Sequence, residues 1–250
     1  MKNTSLLCLA SVLAVLLTFT PAIAASTEVS GEAPGEVDAL LARHLTATGG
    51  EVAWAKIGSR RASGWIERNR AKIPFVQCQQ APHLLRTETR FPRPGTLVQG
   101  FDGTTGWVLH PAQGGRKLGG RELAAVSASA WLRPLQHLGE THAVRRLGEP
   151  RIIEGRPMLA LQLGEREGGP FETWLFDADT VLLARIEKTL DAGPQGLVSV
   201  VQVFEDYRTV DGLTLPFRIR TRLPTMETIL QFETVEHNVT FPDGNFAPPF

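Results

Sequence analysis

The chain has 250 residues, with 26 Lys+Arg against 26 Asp+Glu, and 42% of its residues are hydrophobic. So balanced a charge gives no electrostatic footprint for nucleic acid or for an anionic membrane surface. The length allows one all-β domain with a sizeable core, and two cysteines are too few for a disulfide framework.

The first 24 residues read as a signal peptide. Lys2 precedes an apolar run over residues 6–19 (LLCLASVLAVLLTF), Thr20 and Pro21 break it, and Ala22-Ile23-Ala24 is an A-x-A cleavage site. The run is shorter than the roughly 20 apolar residues that span a bilayer, so cleavage after Ala24 is expected, with no transmembrane segment after it. Lys2 is the only charged residue in this segment, so its loss leaves the chain at −1. Cys8 goes with it. Cys78 then has no disulfide partner and is expected to be a buried strand cysteine.

Residues 25–35 (ASTEVSGEAPG) are small and polar, as in a flexible leader, and residues 36–250 follow as a single β domain. A helix opens it over 37–48. Val37, Leu40, Leu41, His44 and Leu45 make one apolar face, on which His44 is a packed residue, and Gly49-Gly50 stops the helix. From Ile57 onward, short β-like runs are cut by turn residues. Five come first: 61–68, 72–80, 83–90, 96–101 and 106–110. A second helix is expected over 121–138, with Val126, Ala130, Trp131 and Leu135 in helical spacing and Pro134 as a kink. Six more runs follow, 156–163, 171–176, 182–190, 197–207, 213–223 and 227–237. Alternation is clearest late in the chain. Leu215, Phe217, Ile219 and Leu223 oppose Arg218, Arg220 and Arg222, and Leu182, Ala184, Ile186 and Leu190 oppose Arg185, Glu187 and Thr189. The expected fold class is mainly β: a large curved antiparallel sheet of about 11 strands, its dry face covered by one or two α-helices.

The sequence offers no linear catalytic motif. Asp102-Gly103 in "GFDGTTGWVLHP" (100–111) lacks the Thr or Ser of an aspartic protease loop and reads as a hairpin turn, since Gly accepts positive φ and Asp bonds nearby backbone. The six histidines are scattered; His137, Glu140 and His142 are the nearest approach to a metal set, and no metal or other cofactor is expected. The arginines at 145, 146, 151, 218, 220 and 222 read as solvated strand faces, with a docking patch as the alternative.

Four stretches carry a resemblance: "LARHLTATGGEVAWAKIGSRRASG" (41–64), "GFDGTTGWVLHP", "YRTVDGLTLPFRIRT" (207–221) and "VEHNVTFPDGNFAPP" (235–249). Together they resemble the outer-membrane lipoprotein-sorting-protein-like family of exported bacterial proteins, similar to the periplasmic lipoprotein carriers and their outer-membrane receptors. The resemblance implies an unclosed β-barrel or half-barrel in the periplasm, whose concave apolar face, lidded by helices, holds acyl chains. The aromatic residues Trp65, Phe75, Trp107, Trp131, Trp174, Phe176, Phe204 and Phe217, with Leu135 and Ile219, are the candidate lining of such a face; ordinary core packing is the competing reading for each. The expected activity is non-enzymatic sheltering of a lipid or lipoprotein acyl chain, with an envelope protein as a further partner. A protein-interaction module using the sheet face or edge, and a hydrolase whose residues converge from separate strands, are the alternatives.

Overall fold

The structure is a computed structural model that describes residues 34–133, 135, 138, 142–165, 171–191 and 196–250. The expected signal peptide, nearly all of the leader, and His137 and Glu140 lie outside the described residues.

Among the described residues, thirteen strands form one antiparallel sheet. They are β1 (Ser59–Arg68), β2 (Ala71–Gln80), β3 (Leu84–Arg90), β4 (Thr96–Phe101), β5 (Gly106–His110), β6 (Gly114–Lys117), β7 (His142–Ile153), β8 (Arg156–Glu165), β9 (Glu172–Asp177), β10 (Leu183–Asp191), β11 (Leu197–Val210), β12 (Leu213–Leu223) and β13 (Met226–His237). Their order is β6-β5-β4-β3-β2-β1-β13-β12-β11-β10-β9-β8-β7, so the sheet is open, with β6 and β7 at its ends. The helices are α1 (Pro34–Ala47), α2 (Gly50–Ala55) and α3 (Gly120–Ala130). The expected fold class holds, and all eleven expected strands are present. No helix among the described residues is long and apolar enough to cross a membrane.

Four elements differ from expectation, one of them the short α2, which follows the glycine pair expected to end the first helix. The two additional strands are the sheet's ends. β6 (GGRK) has no apolar residue and is exposed throughout, while β7 carries Gly148 and Pro150 and is bulged between Gly148 and Arg151. End strands need no dry face, and Gly, Pro and charge keep them from pairing further. The second helix stops at Ala130, because Trp131 already has extended dihedrals (φ −60°, ψ 118°), leaving Leu135 outside it.

The described residues divide into two compact units, one within Ile57–Pro134 and Phe232–Phe250, the other from residue 34 to Lys56 and within Leu135–Gln231. In the first, α3 covers β3–β5: Val126 and Ala130 pack on Leu85, Leu97, Phe101 and Val108. Gly106 allows this contact, since a Cβ there would meet Val126 and Leu123 at 2.7 and 2.9 Å. The β4–β5 hairpin turns at Asp102-Gly103 as expected. Asp102 Oδ1 accepts from the Thr104 and Thr105 amides at 3.0 and 2.6 Å, and Gly103 has φ +96°. The carboxylate is thus committed to its own turn. Cys78 stands half-buried on β2, and burial raises its pKa, with Arg61 and Arg86 opposing and Glu88 adding. It is a packed thiol and no thiolate nucleophile.

Candidate functional site

In the second unit one face of β8–β12 is apolar and α1 lies on it. Val37 and Leu40 of α1 are buried against Leu161 and Leu163 of β8, Trp174 and Phe176 of β9 and Ile186 of β10. Around this cluster Leu41, Leu135, Leu147, Leu159, Leu183 and Phe204 are only partly buried, so the apolar face continues beyond what the helix seals. On β12, Leu213, Leu215, Phe217 and Thr221 are buried and Ile219 half-buried on the same side, which is the expected alternation.

The helix is held at its C-terminal end. The Thr214 amide donates to the Thr48 carbonyl at 3.1 Å, docking the α1–α2 turn on the β11–β12 hairpin, and Gly49 lies so close to Gly212 that no side chain fits. His44 is packed as expected: Nδ1 lies 2.7 Å from the Val181 carbonyl and the ring meets Phe176 edge-on at 5.1 Å. The carbonyl can only accept, so Nδ1 carries the proton of this bond.

Polar groups sit inside this otherwise apolar face. Glu172, Lys188 and His142 are each 4% exposed, and Gln202 is 2%. Lys188 Nζ stands 4.0 Å from Glu172 Oε1, and the Trp174 indole donates to Glu172 Oε2 at 2.9 Å. The carboxylate is thus anchored by an indole and balanced by an ammonium. The sequence did carry a signal for this cluster. Lys188 has the parity of Ile186 and Leu190, and Glu172 that of Trp174 and Phe176, so each falls on a dry face.

The expected lining residues divide between the two units. Trp174, Phe176 and Leu135 belong to the cluster beneath α1, and Phe217 and Ile219 share one face of β12. In the first unit, Phe75 is buried and meets Phe232 edge-on at 5.6 Å. Trp131 stacks on His83 at 4.4 Å just past the end of α3. Trp65 and Trp107 stand elsewhere. Phe75 pairs with Gly64, so Trp65 projects from the opposite face, where Lys72 covers its ring at 4.1 Å. Trp107 is fully buried on the face opposite Gly106 and Val108, where its Nε1 donates to the Phe246 carbonyl at 2.8 Å. It therefore takes no part in the face beneath α3. Ala184 also leaves its expected partners. The irregularity between Leu183 and Arg185 turns it into a separate cluster with Met158, Ala160 and Leu175.

The two buried imidazoles make stability sensitive to acid. Burial lowers the pKa of His44, with the bond to Val181 opposing, and burial likewise lowers that of His142, with Glu172 the largest opposing influence. The folded state thus binds a proton less readily than the unfolded chain. The associated stability is complete above pH about 6.5 and declines as pH falls from there toward the depressed folded values. Urea midpoints are expected to drop between pH 7 and pH 5, and less so in His44→Phe. An unchanged pH slope in that variant would show that His44 is not a source.

No family model matches the chain, and no curated protein does. Solved structures match its fold. A DUF1329 family protein from Desulfovibrio piger is 15% identical with a TM-score of 0.59, over 84% of this chain and 96% of that one. A LolA superfamily protein from Nitrosomonas europaea is 13% identical with a TM-score of 0.59, over 84% and 96%. A putative outer membrane lipoprotein-sorting protein domain from Vibrio parahaemolyticus is 12% identical with a TM-score of 0.58, over 85% and 95%. The fold is thus the one these proteins share, as the quoted motifs imply.

Proposed function

We propose that the protein is an exported, non-enzymatic carrier that shelters an acyl chain of a lipid or lipoprotein on the apolar face beneath α1. The observation that carries this reading is the half-buried rim of Leu41, Leu135, Leu147, Leu159, Leu183 and Phe204 around a fully buried cluster. Such a rim offers apolar surface next to a helix that a ligand can lift or slide under. Each methylene withdrawn from water contributes about 0.8 kcal/mol, so a long chain is held without a charged anchor. The likeness in fold to a putative outer membrane lipoprotein-sorting protein domain supports the same reading. The expected signal peptide at residues 1–24 supports export, and the periplasm is the compartment the resemblance implies.

Native mass spectrometry with lipid extraction, on protein purified from its own compartment, tests this. Wild-type protein is expected to carry acyl lipid, and Phe204→Gln, on the rim rather than in the sealed core, to carry several-fold less at unchanged secondary structure. Wild-type protein that purifies without acyl lipid and takes up no fluorescent fatty acid would falsify the reading.

A further inference from the structure

One face of the first unit carries polar side chains at inward positions of its strands, one of them with an unpartnered hydroxyl. Cross-strand partners share a face, so the registers Gln77↔Thr87 and Thr87↔Gln99 place three polar side chains in one row across β2, β3 and β4. The row faces the same side as Val108, which pairs with Gln99 and packs under α3. Thr89, two residues on from Thr87, shares that side with Phe75 and Leu97, its two partners. Thr87 is 6%, Gln99 8% and Thr89 1% exposed. The Thr89 hydroxyl is buried with no hydrogen-bond partner among the described residues. Buried hydroxyls are nearly always partnered, and this open one lies beside the polar row, on the side that the row faces.

We propose that this row is a binding site for the uncharged, hydrogen-bonding head of an apolar-tailed molecule: a hydroxyl, ester or amide group. The row supplies amides and hydroxyls, which donate and accept, and no charge. Two arginines on the same face are already committed, Arg60 to Gln79 through Nε and Nη2, and Arg116, the partner of Val108, to Glu122. Gln79 in turn donates to the Ser129 carbonyl at 3.1 Å, at the end of α3. Apolar side chains flank the row on both sides, Phe75 and Leu97 on one and Leu85 and Phe101 on the other, as an amphiphile requires. The inference stands on the first unit alone and goes beyond the acyl face beneath α1.

The test is calorimetric titration with 1-monooleoylglycerol and with oleate, in a Phe204→Gln background that silences the face beneath α1. Monooleoylglycerol is expected to bind, and Thr89→Val and Gln99→Leu each to weaken it about fivefold, the worth of one hydrogen bond. Oleate, whose charged head the row does not match, is expected not to bind this background. Without ligand, Thr89→Val is expected to raise Tm by about 2–4 °C, because an unpartnered hydroxyl has left the interior. The inference is overturned if monooleoylglycerol does not bind, if both variants leave its affinity unchanged, or if oleate binds the same background as tightly. Failure of the carrier reading looks different: wild-type protein then takes up no oleate, while the monooleoylglycerol titration still reads the first unit.

Discussion

Lys188→Ala is expected to lower the unfolding free energy by about 3–5 kcal/mol, because it strands the Glu172 carboxylate in a face with almost no access to water. The partner of that carboxylate is the ammonium 4.0 Å away, and its second oxygen is taken by the Trp174 indole. The expectation separates the charge from the packing. Lys188→Met with Glu172→Gln keeps the volume and an acceptor for the indole while removing both charges. This double variant is expected to recover most of the loss, and a double-mutant cycle followed by urea titration reads the coupling. A loss below about 1 kcal/mol for Lys188→Ala would mean that water reaches the pair and that the face is wetter than its burial implies.

The second large effect lies in the first unit. Trp107→Ala is expected to cost about 3–5 kcal/mol, the range for truncating a fully buried large aromatic side chain. It opens a void against Gly100, whose missing side chain is what admits the indole, and it leaves the Phe246 carbonyl without its donor. Trp107→Phe keeps most of the volume and is expected to cost only about 1–2 kcal/mol for the bond and the smaller ring. Gly100→Ala is the converse: its Cβ falls on the indole, and overpacking of this kind costs about 1–3 kcal/mol. Made together with Trp107→Ala, it is expected to be nearly harmless. Additive costs in the double variant would show that the two residues do not meet.

The strand pattern was legible in the sequence wherever a strand has one dry and one wet face. Leu213–Leu223 shows this best, with leucine and phenylalanine alternating against arginine. The pattern was silent at β6 and β7, which end the sheet and so need no apolar stripe. Period-2 alternation also states which residues share a face, and leaves open which face a helix covers. Trp65 and Trp107 were grouped with Phe75 on aromatic character alone, yet they project from the other side, one under Lys72 and the other under residues more than a hundred positions along the chain. The polar members of inward faces were missed for the opposite reason. Gln77, Thr87, Gln99, Glu172 and Lys188 stand at inward positions of their strands, where an alternation of apolar residues gives no sign of a polar member. Of the site beneath α1, the helix stripe and the aromatic residues of β9 and β12 were readable; the buried charges and the partly sealed rim depend on pairings between distant strands.

The contact between Trp107 and Phe246 bears on the order in which the chain can fold. Residues 57–134 cannot bury Trp107 or satisfy the Phe246 carbonyl until Phe232–Phe250 has been made. The ribosome therefore delivers the first unit's sheet and helix long before the segment that completes them. Until then the Trp107 indole has no carbonyl to donate to, so the first unit is completed only at the end of synthesis.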